Sequence, residues 1–140
     1  MNREKIFVDT SAWVALFIKN DINYEKAICI FEGIKQLKSP LYTSDYIIDE
    51  TITTILGRGN HHQSVLAGKA LFTSQILTLI PVAPDYLQKT WKLYQKYHDK
   101  EFSFTDTSSF TIMKDLSIKK AFSFDEDFMK VGLEVIGVES

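Results

Sequence analysis

Cysteine, proline and glycine are all scarce in this chain, with one, three and six among 140 residues. The lone Cys29 excludes an intramolecular disulfide and the cysteine-rich zinc modules, and it suits a reducing cytoplasm. There is no internal repeat, low-complexity tract or linker. The breaks are short: Lys38-Ser39-Pro40, Gly57-Arg58-Gly59-Asn60 and Pro81-Val82-Ala83-Pro84. No apolar run approaches the roughly 20 residues a membrane span needs. Arg3 and Lys5 ahead of an apolar run resemble a targeting segment, but Asp9, Thr10 and Ser11 interrupt it, which predicts mature structure. An excess of positive charge is also missing. Sixteen Lys and Arg face eighteen Asp and Glu, a formal net charge of -2, so bulk charge alone does not hold a nucleic acid here.

What the chain does have is apolar bulk. Hydrophobic residues make up 45%, with ten Phe, six Tyr and two Trp. That is enough for one well-filled core, and a split would leave pieces too small for independent cores, so residues 1–140 read as a single domain.

Hydrophobic patterning divides the chain into alternating elements. Strands are predicted at 5–8, 41–43, near 79–82, at 120–124 and at 133–138. Helices are predicted over 12–19, 24–37, 45–56, 62–72, 85–98 and 106–116. Thr10 or Ser11 is a candidate cap for the first helix and Ser44 for the third. Strands that alternate with helices imply an α/β fold with a parallel sheet, covered by helices on both faces.

Open α/β sheets form their sites at the carboxyl ends of strands. Asp9 directly follows Ile6-Phe7-Val8, and Asp125 directly follows Phe122-Ser123-Phe124, with Asp127 two residues on. Either acid alone also reads as an ordinary turn residue, since Asp is common there. Asp106 heads a stripe with Phe110 and Met113 at i, i+4, i+7. A capping box with Ser103 or a bound metal ion accounts equally for an acid at that place. Glu50 projects nearly opposite the face formed by Ile48, Ile52, Ile55 and Leu56, which by itself marks a solvated residue. Together the four acids come from separate segments that this topology brings to one rim. There they repel one another unless a divalent cation is present, and an all-carboxylate donor set favours Mg²⁺ or Mn²⁺ over zinc. Such an ion is a common device for hydrolysing phosphodiesters.

These acids and their flanks resemble the PIN-domain proteins, most closely the VapC group of toxin–antitoxin ribonucleases. The resemblance covers nearly the whole chain. It is carried by Val8-Asp9-Thr10-Ser11-Ala12, by Thr43-Ser44 leading to Asp49-Glu50-Thr51, by the segment ending Phe102-Ser103-Phe104-Thr105-Asp106, and by Phe122-Ser123-Phe124-Asp125-Glu126-Asp127-Phe128. It implies a PIN-like three-layer sandwich with a central parallel sheet of four or five strands. It further implies an acidic pocket for one or two Mg²⁺ or Mn²⁺ ions, endoribonuclease activity, homodimerisation and inhibition by an antitoxin protein. Carried over by position, Asp9, Glu50, Asp106 and Asp125 are the catalytic acids, with Asp9, Asp106 and Asp125 as metal ligands. Asp127 is an accessory acid, and Thr10 or Ser11 orients the first carboxylate. Thr107 departs from the family, where Ala or Cys is common after the third acid.

Phosphate contacts need local cations. Gly57-Arg58-Gly59-Asn60-His61-His62 reads as a flexible turn whose Arg58 and His61 are candidate RNA contacts, or as a plain interhelical loop. Trp13, Trp91 and the stripe of Tyr86, Leu87, Leu93, Tyr94 and Tyr97 fit core or interface packing better than base stacking. A phosphotransfer receiver domain requires adjacent acids after its first strand, and a dehalogenase-type phosphatase an Asp-x-Asp pair. Here Asp9 stands alone and Ser11 holds the second place. The remaining rival is a non-catalytic PIN-fold binding module that docks RNA or protein.

Overall fold

In the computed structural model, which describes residues 3–138, five short strands form one parallel sheet in the order β3-β2-β1-β4-β5. They are β1 (Ile6–Val8), β2 (Leu41–Ser44), β3 (Leu77–Ile80), β4 (Lys120–Phe122) and β5 (Glu134–Ile136). The helices are α1 (Thr10–Phe17), α2 (Tyr24–Gln36), α3 (Asp45–Arg58), α4 (His61–Thr73), α5 (Pro84–Lys96), α6 (Phe104–Asp115) and α7 (Asp127–Lys130). Residues 1, 2, 139 and 140 of the predicted domain lie outside the described residues.

The chain walks from β1 outward to β2 and β3, then returns past β1 to β4 and β5. Right-handed crossovers therefore set α1 to α4 on one face of the sheet and α5 to α7 on the other. The reversal makes the crevice between the carboxyl ends of β1 and β4 a topological switch point. Register supports it, with Ile6, Phe7 and Val8 paired to Lys120, Ala121 and Phe122. The amide of Asp9 extends the ladder by one bond to the carbonyl of Phe122 at 3.0 Å.

The central strands carry the core. Phe7, Val8, Leu41, Ala121 and Phe122 are fully buried, which is why β1 reads as an unbroken apolar run and β4 is apolar after Lys120. The edges differ: in β3, Thr78 and Leu79 face solvent, and β5 begins on exposed Glu134. Phe102, Phe110, Phe128 and Tyr97 form an edge-to-face cluster behind the sheet. Helix α6 is buried from Thr107 to Met113 despite four hydroxyl residues. Each hydroxyl turns back on its own helix: Thr107 donates to the Ser103 carbonyl at 2.9 Å, Ser108 and Ser109 to that of Thr105, and Thr111 to that of Thr107.

Several expectations are corrected. The first helix starts at Thr10, with Asp9 itself at the N-cap, so neither Thr10 nor Ser11 caps it. Helix α3 runs on through Arg58, and Asn60 caps α4 by accepting from the Gln63 amide at 2.8 Å. Arg58 and His61 are therefore helical ends, and only residues 59 and 60 separate the two helices. Leu56 is 49% exposed, and the buried face of α3 is instead Ile47, Ile48, Thr51 and Ile55. The four-residue α7 carries too little periodicity to be seen in sequence.

Candidate metal-binding nuclease site

Asp9, Glu50, Asp106 and Asp125 all line one open cleft of about 410 Å³ at the switch point. Thr10, Ser11, Asp21, Asn23, Thr54, Arg58 and Ser103 complete its polar wall. Each acid arrives for a local reason. Asp9 ends β1, where the extended backbone hands over to α1. Asp106 sits in the first turn of α6, positioned as Ser103 Oγ accepts from the Asp106 amide at 2.9 Å. Glu50, Thr54 and Arg58 fall at i, i+4, i+8 on the face of α3 that looks into the cleft. Asp125 follows β4, and its Oδ1 accepts from the Asp127 amide at 2.9 Å.

Two serines hold the first carboxylate. Ser11 Oγ and Ser123 Oγ each donate to Asp9 Oδ2, at 3.0 and 2.9 Å. They also tie down the opposite rim, since Ser11 Oγ accepts from the Phe124 amide and Ser123 Oγ from the Asp125 amide. Asp9 and Asp125 are thus linked through one hydroxyl. Thr10 Oγ1 is buried and unpartnered, so of the two hydroxyls named in the sequence only Ser11 touches the carboxylate. Ser123 is not among the residues the sequence points to; its signal is a hydroxyl directly after β4 and two residues before an acid.

Electrostatics follow from that packing. Asp9 is 3% exposed, and burial pushes its carboxyl up to about 6. The Ser123 and Ser11 hydroxyls and the Thr10 backbone amide pull in the opposite direction, and the Glu50 charge adds a small upward push. Asp106 rises to about 7, first through burial and then through the charges of Asp9, Asp125, Glu50 and Asp127. A carboxyl that feels four like charges stands at the centre of an anionic nest.

The donors suit a hard divalent cation. One carboxylate oxygen each from Asp106, Asp125 and Asp127 lies within 4.8 Å of the others. Asp9 falls outside that group of three, but it lines the same cleft as Asp106 and Asp125, its charge raises the Asp106 carboxyl, and its Oδ1 is buried without a partner, an orphan acceptor of the kind a metal bond satisfies. Asp127 is drawn nearer the centre than an accessory place suggests, although its Oδ1 also accepts from Lys130 Nζ at 2.9 Å.

Other candidates are sorted by position. Arg58 is the one cation lining the cleft, where its Nη1 donates to Asp21 Oδ2 at 2.8 Å. His61 is exposed at the start of α4 and does not line the cleft. Thr107 is buried and bonded to its own helix, so the departure at that position leaves the cleft wall untouched. Trp13 is core, with Nε1 donating to Thr43 Oγ1, whereas Trp91 is 54% exposed and stacked on Tyr94. Of the aromatic stripe, Tyr86, Leu93 and Tyr97 pack on the core, while Leu87 and Tyr94 are exposed.

A buried strand-end carboxylate sharing a cleft with acids from three other segments defines an α/β fold with a carboxylate-lined crevice at its switch point. The PIN domain family matches residues 6–133, and the chain belongs to that family. Within it, the protein is of the VapC type. It is 32% identical over 128 residues to the 23S rRNA-specific endonuclease VapC20 of Mycobacterium tuberculosis, covering 91% of this chain and 94% of the relative. It is 26% identical over 140 residues to the Ribonuclease VapC1 of Aquifex aeolicus, covering 99% and 94%. The crystal structure of Mycobacterium tuberculosis VapC20, described as a sarcin–ricin loop cleaving toxin, superposes with a TM-score of 0.83 at 30% identity, over 96% of this chain and 99% of that one. The expected PIN-like sandwich is thus the observed fold.

Proposed function

We propose that the protein is a Mg²⁺- or Mn²⁺-dependent endoribonuclease that hydrolyses RNA phosphodiester bonds, acting in the cytoplasm as the toxin of a toxin–antitoxin pair. The observation that carries this reading is the group of Asp106, Asp125 and Asp127 oxygens within 4.8 Å of one another, in a cleft also lined by Asp9 with its buried, unpartnered Oδ1. The printed activities of VapC20 and VapC1 support RNA as substrate, and a ribosomal hairpin of the sarcin–ricin type is the first RNA to try.

Asp9, Asp106 and Asp125 would hold the ion, with Asp127 beside them. When bound, it supplies charge neutralisation at the phosphate oxygens and a more acidic water. The chain's own residues do the rest. Ser11 and Ser123 fix Asp9 through Oδ2 and leave its Oδ1 without a hydrogen-bond partner. Glu50, half-buried across the cleft, accepts the proton of the attacking water. Arg58, held in the cleft wall by Asp21, contacts the backbone of the bound strand. His61, outside the cleft, has no part in this reading. In-line displacement leaves 5′-phosphate and 3′-hydroxyl ends.

Incubating RNA with wild type or Asp9→Asn, in Mg²⁺ or in EDTA, tests the assignment. Cleavage is expected only for wild type with Mg²⁺, and equal cleavage in all four conditions sinks it. The rival binding module predicts RNA or protein docking with no Asp106-dependent growth arrest on bacterial expression. The apolar exposure of Leu87, Trp91 and Tyr94 along α5 is available to a second copy of the chain, in keeping with a homodimer. The antitoxin partner and the dimer are read out by co-purification with the neighbouring gene's product and by light scattering.

A further inference from the structure

We propose that the groove between α5 and α6 is a second RNA-contact surface, taking backbone phosphates of the strand whose scissile bond lies in the carboxylate cleft. The inference rests on the nuclease reading above. It starts from a deficit: five carboxylates, those of Asp9, Asp21, Glu50, Asp106 and Asp125, face Arg58 alone in the cleft, and Asp21 already engages that guanidinium. With a formal charge of -2 overall, the chain must hold a polyanion by charges placed elsewhere.

A groove of about 640 Å³ is lined by Lys89, Lys92, Lys96 and Lys114. Four of the chain's sixteen basic residues thus line one surface. Asp115 is the only acid in it, and its oxygens already accept from Tyr86 Oη at 2.6 Å and Lys89 Nζ at 3.4 Å. Lys92, Lys96 and Lys114 form no ion pair among the described residues. Positions 89, 92 and 96 fall on one face of α5 as a row about 10 Å long. Lys114 stands on α6, roughly 12 Å along the helix from Asp106. One helix therefore joins the cleft to the groove, and a strand leaving the cleft along α6 meets the ammonium groups in turn.

An RNA backbone fits this surface better than an acidic protein does. Flexible point charges suit phosphates without sequence readout. A protein interface needs an apolar centre, and Leu93 is the only large apolar residue in the groove. The exposed Leu87, Trp91 and Tyr94 project from the opposite side of α5.

The test measures binding of a fluorescein-labelled single-stranded RNA to Asp9→Asn/Asp106→Asn protein in EDTA across a salt series, so that a failure of cleavage and a failure of the groove are read separately. Adding Lys92→Gln, Lys96→Gln and Lys114→Gln is expected to weaken binding about tenfold at low salt. The log–log salt slope is expected to shrink by about 2, because each lost phosphate contact removes roughly 0.7. A control triple on the other face, Lys35→Gln, Lys38→Gln and Lys69→Gln, changes net charge equally and is expected to keep the slope. An unchanged slope in the groove variant, an equal loss in the control, or no RNA binding by the parent protein overturns the proposal. Lysine-dependent binding of poly-glutamate without lysine-dependent binding of RNA also overturns it, in favour of an acidic protein partner. Cleavage by otherwise wild-type protein is scored separately and judges the nuclease reading alone.

Discussion

The cleft and the lysine groove lie along the same helix and hold charge in opposite ways. In the cleft, carboxylates are desolvated, braced by serines and pressed together, so burial and mutual repulsion push Asp9 and Asp106 upward. In the groove, lysines stand in water on long stems and only Lys89 has a fixed partner. Strained like charges call for a compact ion of high charge density, which must be taken up at a defined place. Solvated charges exchange counterions with whatever polyanion passes, at little cost in order. The difference is one between chemistry and capture, and it predicts different responses to mutation, pH and salt.

The largest effect is expected at the centre of the cleft. Asp106→Asn should lower cleavage by about a thousandfold or more in single-turnover assays, since it removes a ligand and the acid most coupled to the others. A loss below about tenfold would make the cleft no more than a surface. Next comes the support beneath it: Phe110→Ala should cost about 3–5 kcal/mol in denaturant melts, because the ring fills the cluster with Phe102, Tyr97 and Phe128 behind α6. Ser123→Ala should weaken Mn²⁺ binding by about 10–100-fold in calorimetry, with the fold retained, as Asp9 loses a donor and the Asp125 amide an acceptor.

A smaller, diagnostic effect concerns pH. Both raised carboxyls bind protons in the folded state that they release when unfolded, between the ordinary value of 3.8 and about 6 for Asp9 or 7 for Asp106. Stability of the ion-free protein should therefore fall as pH rises through that window, so that the melting temperature in EDTA is higher near pH 5 than near pH 7.5. Saturating Mn²⁺ should reverse the trend, because a cation favours the ionised forms. Melting temperatures that rise with pH in EDTA would contradict the electrostatic picture of the cleft. The smallest effect is expected in the groove, where Lys92→Gln alone should weaken RNA binding only a few-fold and lose all effect at high salt.

The comparison also shows what could be read in advance. Asp9 and Asp125 were legible because a buried strand ends directly before the first and three residues before the second, and local apolar runs reveal strand ends. Asp106 was legible because it heads a stripe through Phe110 and Met113, both buried in α6. Glu50 was named through the resemblance alone, since helical spacing tells which residues share a face and not what that face meets. The reading of Leu56 as core failed for the same reason: α3 turns Ile47 and Thr51 inward instead. Ser123, Asp21 and the four lysines were invisible because their significance lies in partners from distant segments, such as the Ser123–Asp9 bond spanning 114 positions. The flexible turn expected around Arg58 and His61 is instead two helix ends, because α3 runs through Arg58 and Asn60 caps α4.

Local order was thus written in the sequence itself: the alternation of strands and helices, the resemblance to PIN domains, and the acids at strand ends all rest on near-neighbour spacing and residue chemistry. The tertiary structure alone decided which carboxylates share a cleft, how deeply Asp9 is shut away from water, and that lysines from two helices line one groove. Desolvation and Coulomb repulsion act through space across the sheet, and their strength depends on distances that only the folded chain sets.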